Sequence, residues 1–155
     1  MPVVYRLLKK KRLADAFSGE GARLYGGRWN SRGKACTYVA GTEALAILEV
    51  MVHLSNYEQL KDFVLLELEI PDDLIEIPGN AQLPDNWRED PAPVETLEIG
   101  DRFLECKELL ALQLPSTIAP REHIFLLNPG NSDYEKVTGK AKELEFYPDP
   151  RLVKD

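Results

Sequence analysis

The hydrophobic and polar positions of the chain fall into short blocks that predict its elements. "VVYRLL" (3–8) is rich in β-branched and aromatic residues and predicts a first strand. Residues 13–33 carry five glycines and read as loop with one short helical turn. "ACTYVA" (35–40) predicts a short strand, and "TEALAILEVMVHL" (42–54) the clearest helix, with Thr42 as cap and Glu43 in the first turn. "FVLLELEI" (63–70) alternates Leu66, Leu68 and Ile70 with Glu67 and Glu69, a strand with one wet face. Residues 71–100 are rich in Pro, Asp and Asn and read as loop with short turns, after which Asp101 caps a short helix, "RFLECKE". "LLALQLPSTIA" (109–119) reads as strand bent near Pro115, "HIFLLN" (123–128) as another, and "ELEFYPDPRL" as an edge strand limited by its prolines. Many strands with few, scattered helices predict an α+β domain on a mixed sheet, a single domain over residues 1–155.

One residue breaks the helical pattern. On a wheel of residues 42–54, Ala44, Leu45, Ile47, Leu48, Met51, Val52 and Leu54 cover one broad face, and Glu49 falls just past its edge. Ala46, Val50 and His53 lie opposite, so the helix is apolar nearly all round and predicts a buried position. A carboxylate there must be paired, hydrogen-bonded or protonated, since an isolated buried charge costs several kcal/mol. If the far side of the helix is wet, Glu49 is simply a solvated residue.

Composition narrows the class. A net charge of −7 disfavours nucleic acid and anionic membranes as partners. The run Lys9-Lys10-Lys11-Arg12 is the exception and reads as a solvated turn after the first strand. No window reaches the ~20 apolar residues of a membrane helix, and no signal peptide stands at the start, so the expected location is the cytoplasm. Cys36 and Cys106, in no CxxC or Cys/His cluster, are expected as reduced thiols in or near the core, with no metal site.

Any anionic ligand then needs a local site, and "RLYGGRWNSRG" offers one. Gly26 and Gly27 permit close backbone approach, and Arg28 presents a fork suited to a pyrophosphate or carboxylate. Trp29 reads first as a core anchor, and the glycine spacing is neither a dinucleotide fingerprint nor a P-loop. Ser116 in "LPSTIAP" is either a strand-end hydroxyl or a ligand donor. With no GxSxG elbow, and only His53 and His123 as bases, a serine-hydrolase triad is a poor fit. Asn128 in "LLNPGN" reads as a turn residue. The residues alone suit an anionic small molecule with a planar ring.

Three stretches together resemble the RES-domain family, toxins of bacterial RES–Xre toxin–antitoxin pairs: "FSGEGARLYGGRWNSRG", "TYVAGTEALAILEVMVHL" and "LPSTIAPREHIFLLNPGNSDYEKV". The opening "YRL" (5–7) is similar too, with Tyr5 where the family often has Trp. The resemblance spans nearly the whole chain. It implies a fold like that of ADP-ribosyltransferase toxins and an activity that consumes NAD⁺ as substrate, by phosphorolysis or hydrolysis of the nicotinamide–ribose bond, with no bound cofactor. Its polar residues map onto Arg28, Tyr38, Glu49 and Ser116, with Gly27 at the nucleotide, and less firmly onto Arg23 and Arg32. In that scheme Glu49 stabilises the oxocarbenium-like ribose, Arg28 clamps pyrophosphate or phosphate, Tyr38 orients the nicotinamide, and Ser116 binds phosphate or ribose. Arg28 and Ser116 together favour inorganic phosphate slightly as co-substrate. The implied partners are an Xre-like helix-turn-helix antitoxin and a second toxin copy. Modification of a protein target, and nucleotide binding without turnover, are the alternative readings.

Overall fold

A computed structural model describes residues 1–79 and 82–152. Its strands are β1 (Val3–Lys9), β2 (Thr37–Ala40), β3 (Phe63–Glu69), β4 (Ile75–Glu76), β5 (Ala111–Pro115), β6 (His123–Leu127) and β7 (Lys142–Leu144). They form one seven-stranded sheet in the order β4-β5-β6-β2-β1-β3-β7. β4 runs parallel to β5, and the other neighbouring pairs are antiparallel. Around it lie α1 (Glu20–Tyr25), α2 (Glu43–Met51), α3 (Tyr57–Leu60), α4 (Val94–Cys106) and α5 (Tyr134–Thr138). The expected α+β class with a mixed sheet is the observed one.

Both faces of the sheet are covered, because side chains alternate along each strand. On one face Leu7, Ala40 and Leu65 pack with Leu45 and Ala46 of α2, while Leu112, Leu114 and Leu126 pack with Trp29 and with Phe103 and Leu104 of α4. On the other face Val4, Val39, Leu68, Phe125 and Leu127 pack with Tyr134 and Val137 of α5. This double cover is why Leu65 is buried alongside Leu66 and Leu68 in β3, so that strand is wetter only at Phe63, Glu67 and Glu69.

Thr42 caps α2 as expected, its hydroxyl accepting from the Leu45 N–H at 3.1 Å. The helix is not buried all round, however. Leu48 and Val52 are 39% and 60% exposed. A helix lying on a sheet hides one stripe, and apolar residues on its far side stay in solvent.

The largest departure is in residues 71–100. Instead of continuous loop, the chain forms β4 and then the thirteen-residue α4, which begins at Val94 straight after Pro93. Proline density suggested loop, but a proline just ahead of the first turn leaves every helical hydrogen bond intact. Thr96, Gly100, Phe103 and Leu104 supply the buried helical stripe. Asp101 is therefore mid-helix and caps nothing. Residues 80 and 81 of that stretch, and 153–155 of the expected domain, lie outside the described residues. The predicted strand 109–119 ends at Pro115, and the predicted edge strand of 143–152 shrinks to Lys142–Leu144 ahead of its prolines.

β1 and β2, at the centre of the sheet, meet at the single register Tyr5↔Ala40, whereas β1 pairs with β3 through all seven of its residues. Past that rung the Arg6 side chain does the joining: its Nη1 donates to the Tyr38 carbonyl at 2.9 Å and its Nε to the Ala16 carbonyl at 2.8 Å. Burial lowers the Arg6 guanidinium from its ordinary value, and the nearby Tyr134 and Cys36 work against that.

Packing of α4 on the loop before β2 leaves no room at Gly100, where a Cβ would lie 1.5 Å from the Trp29 carbonyl oxygen. Gly100→Ala is expected to lower stability by ~3 kcal/mol or more. At Gly21, within α1, a Cβ meets nothing within 4 Å, and Gly21→Ala is expected to be neutral or stabilising by up to ~1 kcal/mol. Urea midpoints of the two variants check both.

Candidate active site

The segment Gly26–Asn30 turns out of α1 and back toward β2, closed by the Gly27 N–H donating to the Asn30 carbonyl at 3.0 Å. Its residues divide the work. Trp29 is fully buried among Cys36, Phe103, Leu104, Leu112, Leu114 and Leu126, so it is the core anchor its first reading made it. Asn30 is fully buried and donates from Nδ2 to the Ala22 and Lys34 carbonyls at 2.9 and 3.1 Å. Its Oδ1 accepts from the Tyr38 hydroxyl at 2.6 Å, and that hydroxyl accepts from the Trp29 N–H at 3.2 Å. Gly27 makes this possible, because a Cβ there would stand 2.8 Å from both the Tyr38 hydroxyl and Asn30 Oδ1.

Tyr38 thus spends its hydroxyl on the loop. Burial first, then the neighbouring Cys36, holds its phenol well above the ordinary value. The ring of this half-buried residue packs against the cluster around Trp29.

Arg28 is half-buried and points at the segment before α4. Its Nη1 donates to the carbonyls of Trp87, at 3.1 Å, and Glu89. Among the described residues, Nε and Nη2 make no hydrogen bond and remain available to an anion. The same segment reaches on through Arg88, whose Nε donates to the Thr117 carbonyl at 2.8 Å.

Thr117 adjoins a hydrogen bond between two of the candidate residues. Ser116, fully buried after β5, donates its hydroxyl proton to Glu49 Oε1 at 2.8 Å. The Ser116 hydroxyl oxygen accepts from the Ile118 and Ala119 N–H groups at 3.1 and 3.2 Å. One donor and two acceptor positions fill the hydroxyl's capacity. Ser116 therefore positions Glu49, and has no free lone pair or proton for phosphate or ribose in this arrangement. Glu49 is half-buried, and among the described residues no donor engages its Oε2.

Glu49 lies on the wall of a cleft of about 840 Å³, lined also by Lys9, Lys10, Lys11, Val50, His53 and Phe63. The structure thus joins Glu49 with Ser116, and Gly27 with Tyr38, and links Arg28 to the Ser116 side through residues 87–89. No hydrogen bond among the described residues joins Glu49 to Arg28 or Tyr38. Arg23 pairs with Glu20 on the surface of α1, and Arg32 is exposed. Among the described residues, no group of three His, Cys, Asp or Glu stands where it would hold a metal, and no helix is long and apolar enough to cross a membrane.

Three contributors escaped the sequence reading. Asp101 accepts from the Ser31 N–H and hydroxyl at 2.9 and 2.5 Å, fastening the arginine loop to α4. Arg6 was detectable, since it shares a strand face with the buried Val4 and Leu8. The lysine run is exposed, as a solvated turn is, but it also borders the Glu49 cleft.

The chain thus carries a carboxylate held by a buried serine on a mixed α+β sheet, with an arginine loop linked to it through residues 87–89. The fold is shared with a chain in the crystal structure of the M. tuberculosis MbcT–MbcA toxin–antitoxin complex, at a TM-score of 0.68 and 20% identity, over 92% of this chain and 81% of that one. Residues 3–149 match the RES domain. The "Toxin Res" of Yersinia enterocolitica is 40% identical over 97% of this chain and 99% of its own. The "Toxin Res" of Photorhabdus laumondii is 41% identical over 98% and 97%. The "Prs ADP-ribosylating toxin" of a Sphingobium species is 35% identical over 91% and 89%. The chain belongs to the RES-domain family of toxins.

The two thiols separate sharply. Cys36 is buried and its thiol pushed up to about 12, chiefly by that burial, while Cys106 is exposed, contrary to the expectation that both sit in or near the core. At pH 8 a thiol reagent is expected to modify Cys106 within minutes and Cys36 only on unfolding, as read by mass spectrometry before and after adding denaturant. Because the folded state raises Cys36, its neutral form belongs to the fold. Its contribution is intact below the ordinary thiol value and is lost as pH climbs toward about 12.

Proposed function

We propose that this protein is the toxin of a toxin–antitoxin pair and that it acts on NAD⁺ by breaking the nicotinamide–ribose bond. The observation that carries the reading is the hydrogen bond from Ser116 to Glu49, which fixes a half-buried carboxylate on the wall of a cleft large enough for a nucleotide. Nicotinamide departs with the bonding electron pair as a neutral ring, so no strong general acid is required. The ribose C1′ left behind is oxocarbenium-like, and the Glu49 carboxylate stabilises that charge through its unengaged Oε2. Arg28 offers Nε and Nη2 to the pyrophosphate, and the Tyr38 ring flanks the nicotinamide. Attack on C1′ by water gives ADP-ribose and a proton; attack by inorganic phosphate gives a phosphorylated ADP-ribose.

The saturated hydroxyl of Ser116 removes one reason for favouring phosphate, leaving Arg28 and the cleft lysines as anion ligands. A second reading, transfer of ADP-ribose to a protein side chain, is supported by the name of the Sphingobium relative. The antitoxin is proposed from the MbcT–MbcA complex; an Xre-like identity for it, a second toxin copy and a cytoplasmic site of action follow the family pattern.

Incubating the antitoxin-free protein with NAD⁺, with and without phosphate, and separating the products by chromatography tests the reading. Nicotinamide release is expected, falling about a hundredfold or more in Glu49→Gln and in Arg28→Ala, the loss of ~3 kcal/mol of electrostatic stabilisation. Ser116→Ala leaves the carboxylate present but unheld, and a loss of about tenfold is expected. Undiminished turnover in the Glu49→Gln/Arg28→Ala double variant would refute the site. Release that appears only with an added protein acceptor would establish the second reading.

A further inference from the structure

The cleft beside Glu49 has two unlike walls. One comes from α2 and the turn after it: Glu49, Val50, His53 and Leu54. The other is Lys9, the last residue of β1, followed by Lys10 and Lys11, with Gln59, Asp62 and Phe63 completing the lining. The lysine wall is anchored by backbone. Lys9 is in register with Phe63 of β3, and the Lys10 N–H donates to the Asp62 carbonyl at 2.7 Å. Long cationic side chains therefore project from fixed positions.

These lysines are also unspent. All three are exposed, and among the described residues no carboxylate pairs with any of them. Lys61, close by in sequence, pairs with Glu58 at 3.0 Å and lies over the Tyr57 ring. The carboxylates facing the cleft are Glu49 and Asp62, so three ammonium groups outnumber them in a protein whose net charge is −7. Unpaired cations concentrated at one opening of an acidic molecule raise the local concentration of anions there. A basic wall facing a carboxylate suits a ligand that is anionic at one end and becomes cationic at the other, as a nucleotide does when its sugar loses a leaving group at C1′.

We propose that Lys9, Lys10 and Lys11 form a phosphate subsite of the Glu49 cleft. The phosphate it takes is either the pyrophosphate of the dinucleotide or a free inorganic phosphate acting as acceptor. The choice of ligands rests on the NAD⁺ reading; the charge arrangement does not.

The test compares the Lys9→Gln/Lys10→Gln/Lys11→Gln variant with a charge-matched control, Arg12→Gln/Lys136→Gln/Lys140→Gln, whose three side chains are exposed and outside the cleft. Binding of ADP-ribose, inorganic pyrophosphate and inorganic phosphate is measured by calorimetry, and kcat and KM for NAD⁺ by nicotinamide release. The lysine variant is expected to bind ADP-ribose and pyrophosphate about tenfold more weakly, roughly one hydrogen bond to a charged group. Its KM for NAD⁺ should rise to match, with kcat and the control within about twofold of the parent protein. Loss confined to inorganic phosphate, with an unchanged KM for NAD⁺, assigns the subsite to the acceptor. Lysine-dependent binding without NAD⁺ turnover keeps the subsite and refutes the role given to Glu49. Binding equal in the lysine variant and the control, or no binding of any of the three ligands by the parent protein, overturns the subsite.

Discussion

A fully buried carboxamide has to find partners for two donor protons and an acceptor oxygen, and at Asn30 the surrounding chain is arranged to supply them. Its donors draw in the carbonyls of Ala22 and Lys34, and its oxygen draws in the Tyr38 hydroxyl. That one side chain therefore fixes the end of α1, the turn after it and the second strand relative to one another. Arg28 and Trp29 stand inside the loop so fixed, and neither direction is free. Trp29 enters the core beneath α4, so Arg28 faces the segment 87–89. Gly27 is bare because the phenol that completes the network passes where its Cβ would be.

Ser116 acts toward Glu49 much as Asn30 acts toward the loop. Two backbone N–H groups polarise the hydroxyl, which donates a hydrogen bond to the carboxylate. A donor fully hidden from water holds an acid more rigidly than solvent does, and the geometry is in place before any ligand arrives. The cations near the site have different constraints. Arg28 is engaged by backbone carbonyls, whereas the side chains of Lys9, Lys10 and Lys11 make no hydrogen bond or ion pair among the described residues.

The sheet was largely legible. Alternating or β-branched runs marked β1, β2, β3, β5 and β6 to within a few residues, and Thr42 marked the start of α2. Glu49 was legible as an anomaly, because a carboxylate at the edge of an apolar helical face demands an explanation. α4 was not. Its prolines precede the helix and do not interrupt it, its glycine is there for the Trp29 carbonyl, and Asp101 looked like a cap but binds Ser31. Each of these signals is set by a contact far away in sequence. β4 escaped for a similar reason: two residues gain strand character only by lying beside β5. The pairing of Ser116 with Glu49 spans 67 positions, and nothing local in either segment announces it.

The single rung between β1 and β2 has a mechanical meaning. A continuous ladder transmits force as a plate does, whereas a sheet joined at Tyr5↔Ala40 and by the Arg6 guanidinium is two plates sharing a seam. Compliance collects where backbone bonds are few. α2 packs Leu45 and Ala46 against Leu7 of one plate and Ala40 of the other, so it lies across that seam like a splint, with Glu49 upon it. A displacement of one plate against the other would reach the carboxylate through that one helix, and would be resisted by the half-buried Arg6 that bridges the seam.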